Sequence, residues 1–224
     1  MSHFDQELDE LKTKLLTMAC HAEQSVRNAV KALVERDDEL ARRVKEDDNV
    51  LDRLEIEIDE MAIRLLAKAP LASDLRFITV AMKISHDLER VGDEATAIAR
   101  RSIELSKEPQ LKPYIDIPRM ATMALEMLKD ALNAFVQRTP EKARAVVPRD
   151  KDVDALNKQL HRELASFMVE SPANISRCLS LMTISKRLER IADHATNVAE
   201  EVVYLYEARD IRHTGKGEPM GEPA

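Results

Sequence analysis

Glycine is nearly absent. The 224-residue chain has four, and none lies between Met1 and Val91. No G-x-x-x-x-G-K-[ST] or G-x-G-x-x-G stretch occurs, so the chain has no glycine-rich loop to cradle a nucleotide phosphate. Aromatic residues make up 3% and there is no Trp. The two cysteines, Cys20 and Cys178, lie far apart in apolar stretches and lack metal-ligand spacing. They are expected as buried small hydrophobes in a reducing compartment. No run approaches the roughly 20 apolar residues of a membrane span. The opening SHFDQELDEL is acidic and lacks the apolar core of a signal peptide. A cytoplasmic location follows as the expectation. A basic excess is also missing: the formal net charge of -7 argues against a dedicated nucleic-acid binder.

What is present is helix-forming. Charged residues are 33% and hydrophobic ones 44%, and Ala, Leu, Glu, Lys, Arg and Met dominate. The expected fold class is all-α. The chain also repeats itself. ISHDLERVGDEATAIAR, from Ile84 to Arg100, returns as ISKRLERIADHATNVAE, from Ile184 to Glu200, with nine of seventeen positions identical. Upstream the offset is 102: Met18, Ala29, Arg36, Ala41, Asp48 and Asp52 match Met120, Ala131, Arg138, Ala143, Asp150 and Asp154. A unit of roughly 100 residues has been duplicated in tandem.

Each unit reads as three helices, giving six main helices in two three-helix bundles. The first helix spans about Asp5 to Glu35. Leu8, Leu11, Leu15, Met18, Ala22, Val26, Ala29, Val30 and Leu33 make its one-sided apolar stripe. Its counterpart runs from about Ile117 to Arg138. The second helix is placed near Asp48 to Lys68, after a short helical piece from about Asp38; its counterpart follows the break at Pro148. The third begins near Pro70 or Ser73 and ends near Lys107, and its counterpart opens with Ser171-Pro172. The expected organisation is a first unit at 1–107, a linker at 108–118, a second unit at 119–209 and a disordered tail at 210–224.

The duplicated stretch keeps two acids one turn apart, Glu89 and Asp93, as Glu189 and Asp193. Such a pair costs an isolated helix about 0.2–0.5 kcal/mol. Neighbouring positions read as surface have drifted: His86 to Lys186, Asp87 to Arg187 and Glu94 to His194. A second pair, Asp48 and Asp52, is kept as Asp150 and Asp154. Each pair lies about 20 residues from the turn between the second and third helices, so an antiparallel arrangement brings four carboxylates per unit to one level. Something positive must sit among them. Arg90 and Arg190, at i+1, suit a flanking role. A bound cation answers better, and oxygen donors favour Mg, Mn, Ca or iron over zinc. Asp59 and His161 are possible added ligands, His161 reading otherwise as a surface histidine. Asp48 and Asp150 have a competing structural role as helix N-caps.

Two copies of E-x-x-x-D and D-x-x-x-D on helices, in a duplicated six-helix chain, resemble the PhoU family of phosphate-specific transport system accessory proteins. SDLRFITVAMKISHDLERVGDEA, RLERIADHATNVAE and RHTGK carry the resemblance, which reaches to about residue 216. It implies a cytoplasmic homodimer with multinuclear metal sites, of iron or zinc, at Glu89, Asp93, Glu189, Asp193, Asp48, Asp52, Asp150 and Asp154. It implies negative regulation of the phosphate-starvation response, through contact with a phosphate ABC transporter and a sensor histidine kinase. Two other readings stand beside it. A metal-free helical adaptor would leave the acids merely solvated. A di-metal carboxylate enzyme would need two E-x-x-H motifs, and the chain has none. Ser85 and Ser185 are retained, but no base is positioned to activate either.

Overall fold

The computed structural model describes residues 3–68 and 71–212. Among the described residues seven α-helices follow one another: α1 His3–Glu35, α2 Asp38–Leu66, α3 Ala72–Leu105, α4 Asp116–Gln137, α5 Pro140–Val146, α6 Asp150–Glu170 and α7 Ile175–Glu207. No strand occurs among the described residues. Helices α1–α3 form one bundle, and α4, α6 and α7, with the short α5, repeat it. Residues 106–115, between α3 and α4, are not helical, and the expected tail lies outside the described residues from 213 onward.

The apolar stripe of α1 is buried as its spacing predicts, from Leu11 through Leu15, Met18, Ala22, Val26 and Ala29 to Leu33. Cys20 lies off that stripe and is exposed, correcting the expectation of burial; Cys178 is buried. The first helix of each unit ends on an arginine in the left-handed region, Arg36 at φ 57° and Arg138 at φ 58°. Arg36 then ties the end of α1 to the end of α3, its guanidinium donating to the carbonyls of Ser106 and Glu108, each at 2.6 Å. Asp37 caps α2 through its carboxylate, which accepts from Leu40 N–H at 2.9 Å.

Two expectations fail in the second helices. α2 runs unbroken from Asp38, because no proline or glycine interrupts it, and Asp48 sits in its interior. Pro148 does break the second copy, producing α5, a 3₁₀ turn at Val147–Arg149, and then α6. Asp150 is the first residue of α6 and has helical dihedrals, with Arg149 at the cap position. Neither Asp48 nor Asp150 is therefore an N-cap, and both carboxylates are released for other partners.

α3 and α7 are the centre of the molecule. Their buried residues spread round most of the helix rather than along one stripe, Ile78, Val80, Ala81, Ile84, Leu88 and Val91 among them on α3. They pack antiparallel, as three rungs show. Lys83 Nζ donates to Glu201 Oε1 at 3.0 Å, His194 Nδ1 lies 2.8 Å from Asp87 Oδ1, and Arg187 Nη1 donates to Glu94 Oε2 at 3.0 Å. Arg190 joins Glu94 at 3.3 Å and Asn197 joins Asp87 at 3.1 Å. Two of the three positions that read as drifting surface, 87/187 and 94/194, thus lie in the seam between the units, and Asp87 and Glu94 are buried in it.

Candidate metal centre

Within the first unit α2 and α3 also run antiparallel. Glu55 faces His86, with Oε1 3.1 Å from Nδ1. Further along, Gly92 meets Leu51 and Asp48: a Cβ built on Gly92 would lie 2.3 Å from Leu51 Cδ1 and 3.3 Å from Asp48 Oδ1. That close approach brings α2 acids to α3 acids. Burial raises the Asp48 pKa, and the charges of Asp52 and Asp93 raise it further. Burial also raises Glu89, helped by Asp93 and Glu55 and opposed by Arg90 and His86. Asp48, Asp52 and Asp93 thus share one electrostatic neighbourhood. Glu89 joins it through Asp93 and looks across at Glu55.

In the second unit all four predicted acids come together. Burial pushes the Asp150 carboxyl up to about 6, reinforced by Asp193, Asp154 and Glu189 and opposed by Lys186. Asp193 is raised by burial and by Glu189, with Asp154 adding to the effect. Asp150 Oδ1 and Glu89 Oε2 are buried and accept no hydrogen bond. Buried carboxylate oxygens without donors are costly unless a cation meets them. The donor set therefore fits an oxygen-seeking metal ion.

Side-chain cations already touch parts of these sites. Arg90 does more than flank: its Nε lies 3.3 Å from Glu89 Oε2 and its Nη1 donates to Asp93 Oδ2 at 3.0 Å. Arg190 does not repeat this, because it turns to Glu94 across the seam. In the second unit Lys186 pairs with Glu189 instead.

Sequence reasoning missed two residues. Among the described residues, Glu55, His86 and Glu89 form a cluster able to hold a metal, one donor atom from each lying within 4.8 Å of the others. The signal was the continuation of the α2 acids at helical spacing, Asp48, Asp52, Glu55 and Asp59, with His86 one turn before Glu89. His161, the counterpart of Asp59, is half-buried rather than a surface histidine. Its Nε2 lies 3.0 Å from Ser185 Oγ, and that hydroxyl donates to Asn157 Oδ1 at 2.8 Å.

The PhoU domain matches twice, at residues 15–102 and 117–202, each match spanning one of the repeated units. The chain belongs to the PhoU family. A phosphate-specific transport system accessory protein PhoU homolog of Pseudomonas putida is 42% identical over 214 residues, 95% of this chain and 84% of that one. The crystal structure of PhoU from Pseudomonas aeruginosa superposes with a TM-score of 0.89 at 40% identity, covering 92% of this chain and all (100%) of that one. The phosphate transport system regulatory protein PhoU from Streptococcus pneumoniae gives 0.86 at 32% identity, over 93% and 99% of the two chains. The doubled three-helix arrangement is therefore a PhoU fold. No helix among the described residues is long and apolar enough to cross a membrane.

Proposed function

We propose that this protein regulates phosphate homeostasis as a negative regulator of the phosphate-starvation response. It acts by contact rather than by catalysis. Its partners are a phosphate ABC transporter and a sensor histidine kinase at the inner face of the membrane, and it works as a cytoplasmic homodimer. The observation that carries this reading is identity of 42% across 95% of the chain with a protein named as a phosphate-specific transport system accessory protein. Glu89, Asp93, Asp48 and Asp52 would hold metal in the first unit, and Glu189, Asp193, Asp150 and Asp154 in the second. Iron or another hard divalent ion, Mn or Mg, suits these oxygens, with zinc a further candidate. The metal would neutralise carboxylates that otherwise repel one another between α2 and α3, and between α6 and α7.

A second reading has its own support. Arg90 on Glu89 and Asp93, and Lys186 on Glu189, supply positive charge without any metal. On that reading the chain is a metal-free helical adaptor. Melting temperatures with and without Mn or iron separate the two. The parent and a variant carrying Glu89→Gln, Asp93→Asn, Glu189→Gln and Asp193→Asn are compared. A metal site stabilises the parent alone, because a ligand bound only by the folded state raises its apparent stability. An equal rise in both proteins rules these residues out. The cellular role is tested separately: deletion should switch on phosphate-starvation genes in high phosphate, and the restored gene should silence them. Unchanged expression on deletion defeats the regulatory reading whatever the metal result.

A further inference from the structure

We propose that Glu55, His86 and Glu89 form a divalent-metal position with one nitrogen and several oxygen donors, present in the first unit only. The inference rests on the reading of the acidic pairs as metal sites, since Glu89 is shared with them.

Three observations carry it. The first is preorganisation. The three residues come from two helices, yet one donor atom from each already lies within 4.8 Å of the others. An ion at their centre would need only small side-chain shifts. The second is a buried Glu89 Oε2 that accepts no hydrogen bond; Arg90, half-exposed at its flank, brings its Nε to 3.3 Å. The third is the other unit. There Lys186 stands where His86 does, and its ammonium is paired with Glu189. The duplicated fold thus puts a positive charge at this level of α7, and at the same level of α3 it puts a neutral-capable nitrogen ligand facing two carboxylates. Asn157 completes the contrast. It replaces Glu55 and spends its side chain on Ser185, so the second unit has neither the imidazole nor the carboxylate.

Access is open. His86 is exposed, and with Glu55 and Asp59 it lines a cleft of about 560 Å³ between α2, α3 and α7. Water entering there can complete the coordination shell. The donor chemistry sets the preference. Imidazole suits zinc and the later transition metals, whereas magnesium keeps to oxygen and retains its waters. The first unit should therefore favour zinc over magnesium more strongly than the second.

The test is calorimetric titration of the chelator-stripped full chain with zinc and, separately, with magnesium. The proteins are the parent, His86→Gln, and Glu89→Gln with Asp93→Asn as a reference. His86→Gln is expected to weaken one class of zinc sites by at least about tenfold, the low end for losing even a supporting partner of a metal, and to leave magnesium binding unchanged. Since His86 is at the surface, the variant should keep the parent's helical circular dichroism. Two results overturn the proposal. If His86→Gln binds zinc as the parent does while the reference variant loses it, the imidazole is no ligand and the acidic sites stand without it. If the reference variant also binds zinc unchanged, the acidic-site reading falls together with this one.

Discussion

The two units show how a duplicated bundle diverges: changes on one helix are matched on the helix that faces it. Where α2 meets α3, Leu51 lies over Gly92. The corresponding positions in the second unit are Val153 and Ala192, a smaller residue against a larger one. Total volume at the contact is nearly conserved, as close packing demands. The seam between the units behaves likewise with charge. Position 87 of the first unit meets 194 of the second, and 94 meets 187. The first unit presents acids at both, the second a basic residue and a histidine. Two identical units would set like against like at these rungs. The drift made them complementary, so each unit now fits the other better than it fits itself.

Reversing one side of the seam should break that comparison most severely. Glu94→Arg sets a third guanidinium beside Arg187 and Arg190 in a buried position. Breaking a buried pair costs about 3–5 kcal/mol, and urea unfolding should show a loss of that order. Adding Arg187→Glu should recover a large part of it. If the double variant is no more stable than the single one, the rungs are not paired as described.

The packing pair comes next. Gly92→Ala gains helix propensity of about 1 kcal/mol but drives a methyl group into the fully buried Leu51, and overpacking costs about 1–3 kcal/mol. The variant should be neutral to destabilised on its own. In a Leu51→Val background, which copies the second unit, the same change should stabilise by about 1 kcal/mol. Denaturant midpoints of the four proteins give the coupling directly, and additive effects would deny the contact.

The smallest effect concerns Asp150. Burial and the neighbouring acids raise its folded pKa from the ordinary 3.8 to about 6. The native state therefore holds a proton that the unfolded chain gives up, and stability is fully present below the unfolded pKa. It is lost as pH rises from about 4 through about 6. The shift corresponds to roughly 3 kcal/mol in a dry site, and the residue is only partly buried, so screening reduces it to about 1 kcal/mol. Chelator-treated Asp150→Asn should lose that part of the pH slope in urea midpoints, while the Asp48→Asn slope changes less. An unchanged slope would show that Asp150 ionises as an exposed acid does.

Much of this was legible in one dimension. The apolar stripe of α1, the break at Pro148 and the two offsets depend on local periodicity and on a backbone that either can or cannot donate a hydrogen bond. Errors came where local signals competed. Asp48 looked like a cap because aspartate favours caps, but nothing between Asp38 and Leu66 stops the helix, and a cap needs an end. Cys20 looked buried because its neighbours are apolar, but it falls between the faces that pack.

The sequence by itself determined the helices, the duplication and the spacing that sets acids one turn apart, because each follows from 3.6 residues per turn and from which residues interrupt it. Only the tertiary structure decided what those acids face. Helical periodicity gives a residue a direction, not a partner. The pairing of Glu55 with His86, the turn of Arg190 toward Glu94, and the burial of Asp87 and Glu94 all arise from how α2, α3 and α7 lie against one another. Asp87 and Glu94 lie in a helix surrounded on most sides, and the opposite unit meets Glu94 with two guanidinium groups and Asp87 with an imidazole and an amide.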